Sequence, residues 1–238
     1  TVGTSVNSGV QLSKMCIDPF GKFVYVYGIT SLIPFIINQT TGALTQGTSV
    51  TVSSTLSSIA VHPNGLFLYT SDNASSFSIR VYDLNQNTGL LSVNSSVATG
   101  NNFGGKLIID PLGKFLYCCY QSGILVYSIN QITGALTSVT TSAVTSPITM
   151  AADITGKFLF VATSSTIITF SINQSTGALT QLTTITGFSG ISSISVEPTG
   201  RFLYAVENSI LQVRTCFISA SGASNFSLSN VLLVPSNN

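Results

Sequence analysis

The sequence predicts an all-β protein, a five-bladed β-propeller of four-stranded antiparallel blades, and three observations carry that prediction. One phrase recurs five times, as IDPFGKFVYV from Ile17, VHPNGLFLYT from Val61, IDPLGKFLYC from Ile109, ADITGKFLFV from Ala152 and VEPTGRFLYA from Val196, so that a unit returns every 43 to 48 residues. Each unit breaks into short segments rich in β-branched and aromatic residues, separated by turn residues. No stretch shows the 3.6-residue period of an amphipathic helix.

The second unit shows the elements in order. Ser58 to Pro63 alternates into a short strand, Pro63-Asn64-Gly65 turns, and Phe67 to Thr70 returns as a second strand. Ile79 to Leu84 gives a third strand, Asn85-Gln86-Asn87-Thr88-Gly89 turns again, and Leu90 to Val97 gives a fourth. The last turn is rewritten as NQTTGALT at Asn38, NQITGALT at Asn130 and NQSTGALT at Asn173, each with Gly where a turn needs positive φ. The units run over roughly 10–53, 54–101, 102–145, 146–188 and 189–236 of one domain, 1–238. No unit buries its own apolar face, so the units must stack. Asn225 to Val234 reads as the fourth strand of the last unit. Residues 1–9 then hold an extra outer-strand segment, Thr1 to Asn7, available to double an edge or to pair with another subunit.

Composition narrows the function classes. Hydrophobic residues make up 44% of the chain and charged residues only 6%, against about 25% in ordinary globular domains. The 65 Ser and Thr and 16 Asn residues must therefore cover the surface with neutral polar groups. A net charge of +1 leaves no electrostatic footprint for nucleic acid. The most apolar stretch, Phe23 to Ile37, is interrupted by Gly28, Thr30, Ser31 and Pro34 and is too short for a membrane span. A chain that starts at Thr1 without Met or a basic, apolar leader has either lost a targeting segment or been trimmed, and an extracellular or cell-surface protein fits.

Cys16, Cys118, Cys119 and Cys216 form no CxxC pair and have a single His for company, so neither a metal site nor a cofactor is expected. Cys16 and Cys118 align with small or apolar residues of the other units and read as buried thiols, with a Cys16–Cys216 disulfide as the alternative. Five N-x-S/T sequons, at Asn38, Asn73, Asn94, Asn173 and Asn225, are close to what the Ser, Thr and Asn content gives by chance.

The phrases DP-x-GKF-[LV]-Y and INQ-x-TGALT resemble those of the lactonase-like propellers, the family that includes 6-phosphogluconolactonase and surface-layer proteins with tandem YVTN repeats. The resemblance runs from about Leu12 to Ile218 and implies the propeller fold. Its enzymes look like seven-bladed rings, so five units imply either a five-bladed ring or part of a longer chain. The final Asn of YVTN is replaced here by Gly28, Asp72, Tyr120, Thr163 and Glu207. The shared phrases build turns and core, and a fold by itself does not supply a function.

Placing the ionisable residues on the repeat locates a candidate site. Asp18 with Lys22, Asp110 with Lys114, Asp153 with Lys157 and Glu197 with Arg201 occupy matching turn positions, and His62 stands in the acid's slot in the second unit. The acids there are expected to accept backbone N–H bonds and to pair locally with the base. Six others fall at strand ends that share one edge of an antiparallel blade: Lys14 and Lys106 on first strands, Asp72 and Glu207 ending second strands, Arg80 and Arg214 beginning third strands. All six are expected on one face of the disc. Asp72 with Arg80, and Glu207 with Arg214, are expected to form surface salt bridges, leaving Lys14 and Lys106 to attract a carboxylate, a phosphate or an acidic side chain. Asp83 has no reading.

These features favour a non-enzymatic extracellular or cell-surface propeller acting as a structural, assembly or adhesion module, with a protein or a second copy as partner through a terminal strand. The alternative is a lactonase-type hydrolase, with Glu207 or Asp72 as base and Lys14, Lys106, Arg80 or Arg214 as electrophile. A second alternative is a lectin-like glycan binder, for which Tyr27 and Tyr120 are the aromatic residues near the charged edge.

Overall fold

The structure, a computed structural model, describes residues 5–29, 31–52, 55–72, 77–101 and 104–218, together with the backbone of 228–233. The first blade comprises β1 (Leu12–Ile17), β2 (Phe23–Gly28), β3 (Ser31–Ile37) and β4 (Leu44–Gln46), with a short β5 (Val50–Thr51) also pairing β3. The second holds β6 (Leu56–Val61), β7 (Phe67–Asp72), β8 (Ser78–Leu84) and β9 (Leu91–Ala98), and the third β10 (Leu107–Ile109), β11 (Phe115–Tyr120), β12 (Gly123–Ile129) and β13 (Leu136–Ala143). The fourth holds β14 (Thr149–Ala152), β15 (Phe158–Ala162), β16 (Ile167–Ile172) and β17 (Leu179–Ile185), and the fifth β18 (Ile191–Val196), β19 (Phe202–Glu207), β20 (Gln212–Phe217) and β21 (Leu228–Leu233). Strands follow chain order in every sheet, and β1 with β2, β6 with β7, β15 with β16 and β19 with β20 pair antiparallel, as the five-bladed propeller read from the repeat requires. The chain divides into two compact units, residues 1–109 with 129–136, and residues 110–128 with 137–238.

The repeated phrase has two local tasks. Its acid closes a turn: the Asp18 carboxylate accepts the Phe20 N–H at 3.0 Å and the Phe23 N–H at 2.6 Å. Asp110 does the same for Leu112 and Phe115, and Asp153 for Thr155 and Phe158. Glu197 accepts the N–H groups of Thr199 and Arg201. In the second blade the His62 Nδ1 accepts the Asn64 N–H at 3.2 Å, which confirms its turn role. The expected ion pair to the base four residues on does not form at the four acidic turns among the described residues, because backbone donors already occupy the carboxylates.

Its aromatic residues join blades. The Asn85 carboxamide oxygen accepts the N–H groups of Asn87 and Thr88, and Gly89 closes the turn in the left-handed region at φ 72°. A Cβ on Gly89 would stand 2.5 Å from the Phe23 ring of the preceding blade. Gly134 stands in the same relation to Phe67, and Gly177 to Phe115. Glycine is thus required twice at these turns, for its φ and for the ring beneath it. The tyrosine two residues after the phenylalanine adds a hydrogen bond: the Tyr69 hydroxyl donates to the Gly134 carbonyl at 2.8 Å, and Tyr117 to Gly177 at 3.1 Å.

The apolar residues between neighbouring blades form the core, with Phe23, Tyr25 and Tyr27 against Ile59, Leu68 and Leu91, and Phe160, Ala162 and Ile167 against Ile194, Leu203 and Cys216. All four cysteines are free thiols, so the alternative of a Cys16–Cys216 disulfide is not realised. Burial raises the Cys16 thiol to about 12 and Cys216 to about 11. The fifth blade supplies its own fourth strand as expected. Residues 5–8 carry no strand, so the described part of the 1–9 segment is not an outer strand, and its first four residues lie outside the described set, as do Asn73 and Asn225.

Candidate functional site

Within the first unit, the leading ends of the first strands gather around the start of β6. Lys14 lies on β1 opposite Tyr27, and its ammonium donates to the Ser57 carbonyl of the next blade at 2.5 Å. Tyr27 reaches the same segment, donating its hydroxyl to the Leu56 carbonyl. On the other flank, the Ser58 hydroxyl accepts the Leu107 N–H at 3.0 Å, which fixes the residue directly after Lys106. Ser57 and Ser58 are adjacent in sequence, so β6 holds one lysine by its ammonium and the other by the backbone beside it. Both lysines are solvent-exposed. Partial burial, and then repulsion from Lys106, hold Lys14 below the ordinary lysine range.

The loop carrying Lys106 is seated on the end of β7. The Ser71 hydroxyl donates to the Gly105 carbonyl at 2.8 Å, and a Cβ on Gly104 would meet the Asp72 carbonyl at 2.7 Å and the Phe77 ring at 2.6 Å. Asp72 is buried and accepts the Ser78 N–H at 3.1 Å and the Ser78 hydroxyl at 2.9 Å, closing the way into β8. Arg80 lies on β8 opposite Thr70, half-buried. Arg80 and Asp72 both act electrostatically on Tyr82, while burial is the main cause that raises that phenol. Lys14, Lys106, Asp72 and Arg80 thus belong to one contiguous cluster of strand ends in the first unit.

In the second unit Glu207 and Arg214 form the expected cross-hairpin pair, with Nε 2.8 Å from Oε1. The pair is buried, with side-chain exposures of 0% for Glu207 and 12% for Arg214, and so corrects the expectation of a surface salt bridge. Its N–H is not aligned on the carboxylate oxygen, although the two atoms are close. The other carboxylate oxygen accepts the Ser189 N–H at 2.6 Å, while Arg214 donates to the Gly187 carbonyl at 2.9 Å and covers the Phe188 ring at 4.8 Å. Both side chains therefore clamp the 187–189 loop. A buried pair of this kind costs several kcal/mol of desolvation per ion, which Coulomb attraction and the extra hydrogen bonds must offset.

The charged residues are legible in the repeat, whereas the groups that hold them are not. Ser57, Ser58 and Ser71 act through a main-chain carbonyl or a hydroxyl, and among 65 Ser and Thr residues nothing singles them out. Tyr27 is buried with its hydroxyl committed, so it is not a rim aromatic for a glycan to stack on. Among the described residues, no three His, Cys, Asp or Glu side chains are grouped to hold a metal ion.

Blades of this form, joined by glycine turns over aromatic rings, define a β-propeller whose polar groups cluster at strand ends. The sequence matches the family described as lactonase, 7-bladed beta-propeller, over residues 30–152 and 121–186. The chain belongs to that family. No curated protein matched the sequence. Among solved structures, a protein from Lactobacillus plantarum superimposes with a TM-score of 0.81 at 20% identity, over 94% of this chain and 72% of that one. The Pseudomonas aeruginosa periplasmic gluconolactonase PpgL gives 0.80 at 17% identity, over 93% of this chain and 70% of that one. Hydrazine synthase of Kuenenia stuttgartiensis gives 0.69 at 19% identity, over 99% of this chain and 69% of that one. At these identities the structural likeness speaks for the fold alone.

Family membership overturns the reading of a non-enzymatic structural, assembly or adhesion module. That reading took the scarcity of ionisable groups as a scarcity of chemistry. Opening a lactone needs only an activated water and one positive site at the carbonyl oxygen, which a chain with few charges can still supply.

Proposed function

We propose that the protein is a lactonase-type hydrolase that opens a sugar lactone at the Lys14–Lys106 cluster. The observation that carries this is the convergence of two exposed lysines on the start of β6, in a chain of the lactonase family. In this reading the lactone carbonyl oxygen lies against the two ammonium groups, which stabilise the negative charge that grows there. Asp72, which ends the strand seating the Lys106 loop, takes a proton from the attacking water. The ring C–O bond breaks as the tetrahedral centre collapses, and Lys14 gives a proton to the departing alkoxide. Its depressed pKa, caused by burial and then by Lys106, suits that donation. The product is an open hydroxy acid.

The test is proton release by pH-stat on a δ-aldonolactone, with and without a terminal phosphate. Catalysis above the spontaneous rate is expected, falling about 100-fold or more in Lys106→Ala and in Lys14→Ala. Release at the spontaneous rate with every lactone, by folded wild-type protein, overturns the proposal.

A further inference from the structure

Lys106 stands in a different backbone setting from its counterparts. Lys14, Ser58, Thr149 and Ser193, at the same place in the other blades, lie within their first strands and face Tyr27, Ser71, Ala162 and Val206 across the sheet. Lys106 comes one residue before β10 begins, and its hold comes from the preceding blade. The Gly105 carbonyl accepts the Ser71 hydroxyl at 2.8 Å, and the Leu107 N–H donates to the Ser58 hydroxyl oxygen at 3.0 Å.

These two bonds reach the two peptide units that meet at the Lys106 Cα. The Gly105 carbonyl belongs to the unit before it, and the Leu107 N–H to the unit after it. Each unit is planar, so a bond to each restrains both rotations at that Cα and sets the direction in which the side chain leaves the backbone. The two serines are themselves in register, as direct partners across β6 and β7, where opposite residues put their side chains on the same face. Both are buried, Ser58 at 2% and Ser71 at 0% exposure, where a hydrogen bond is electrostatically stronger than in water.

The other lysine is tied to the same strand. The register slips between Leu56 and Ser58, which leaves Ser57 as the extra residue of a bulge, and the Lys14 ammonium takes the Ser57 carbonyl at 2.5 Å. One short stretch of β6, Ser57 and Ser58, thus locates both cations.

We infer that Ser58 and Ser71 are positioning residues, which aim Lys106 and so set the gap between the Lys106 and Lys14 ammonium groups. The catalytic consequence rests on the hydrolase reading, because two ammonium groups stabilise one oxyanion only at the right separation. The geometric part does not. Partial burial, and then repulsion from Lys106, hold Lys14 below the ordinary lysine range, so the Lys14 titration reports how near Lys106 stands.

The test is a double-mutant cycle through Lys106, read in two ways. By NMR on protein carrying isotope-labelled lysine, the titration of the Lys14 Cε resonance is expected to move to higher pH in Lys106→Ala, and by a smaller amount in Ser58→Ala and in Ser71→Ala. Added to Lys106→Ala, neither serine substitution moves it further. On a lactone that the wild type turns over, each serine variant is expected to lose about 10-fold in kcat with KM little changed, and nothing more in the Lys106→Ala background. Ser58→Thr is expected to keep the wild-type rate, since the fourth blade carries Thr149 at this place. Ser58→Cys and Ser71→Cys, whose thiols bond weakly, stand in for an alanine variant that fails to fold. A Lys14 titration that Lys106→Ala or either folded serine variant leaves in place overturns the inference, and so does a serine effect of full size in the Lys106→Ala background. Turnover of no lactone by the wild type sinks the hydrolase reading, whereas the titration still decides the inference.

Discussion

The turns at Gly42 in the first blade and Gly89 in the second have nearly the same sequence and the same backbone, and they differ in what lies beneath them. Asn38 and Asn85 each cap their turn with a side-chain oxygen, and both glycines sit in the left-handed region. Under Gly89 lies the Phe23 ring, while a Cβ on Gly42 would enter open space. The difference teaches that the repeated phrase specifies a turn locally, but that its energetic weight depends on whether another blade arrives to complete the contact.

The largest test of this comparison removes the ring from a filled contact. Phe67→Ala and Phe115→Ala, both at buried positions, are expected to cost about 3–5 kcal/mol each in urea unfolding. Phe202→Ala, at a half-buried position, is expected to cost clearly less, and an equal cost breaks the comparison. Next in size is the turn itself. Gly42→Ala is expected to lose about 1–2 kcal/mol, the cost of a left-handed backbone for an L-residue. Gly89→Ala adds overpacking against Phe23, about 1–3 kcal/mol more, read as the difference between the two unfolding midpoints. Tyr69→Phe, which removes only the hydroxyl donated to Gly134, is expected to cost about 0.5–1.5 kcal/mol.

Two pH effects sharpen the same contrast between buried and exposed parts of the phrase. Burial raises the phenols of Tyr25, Tyr69 and Tyr117 above the ordinary value of 10.0. The unfolded chain then releases these protons first, so stability is full below pH 10 and falls as pH rises beyond it, and melting temperatures taken in alkali should show the fall. The smallest effect belongs to the exposed Glu197. The Thr199 hydroxyl, aided by backbone N–H groups of Thr199, Arg201 and Phe202, pulls its carboxyl down to about 2 from an ordinary 4.5. Its contribution is present above pH 4.5 and is lost as pH falls toward about 2, and Glu197→Gln should flatten a shallow acid slope in melting temperature over that window.

Much of this was legible in the residues. Aligning the five phrases placed the acids in turns and Asp72 and Glu207 at the ends of second strands, whereas Lys106 lies just before β10 rather than on it, and Arg80 and Arg214 are the third residues of β8 and β20 rather than the first. A repeat exposes its exceptions, so a charge that breaks the pattern is visible without a structure. What such a charge touches is not visible, because its partner comes from another blade or from a main-chain carbonyl. Lys14 meets the Ser57 carbonyl 43 positions away, and Glu207 is buried against a loop that no motif marks.

The sequence alone determined the blade, because strand period, Asn and acid caps, and glycines of positive φ are all settled within a few residues of one another. Only the tertiary structure decided which copies of the phrase are filled. That depends on a ring and a hydroxyl supplied by a neighbouring blade some 60 residues away, as Phe67 and Tyr69 supply them to Gly134, and Phe115 and Tyr117 to Gly177. The cluster around β6 was decided at the same level, since two lysines 92 positions apart meet only when three blades stack.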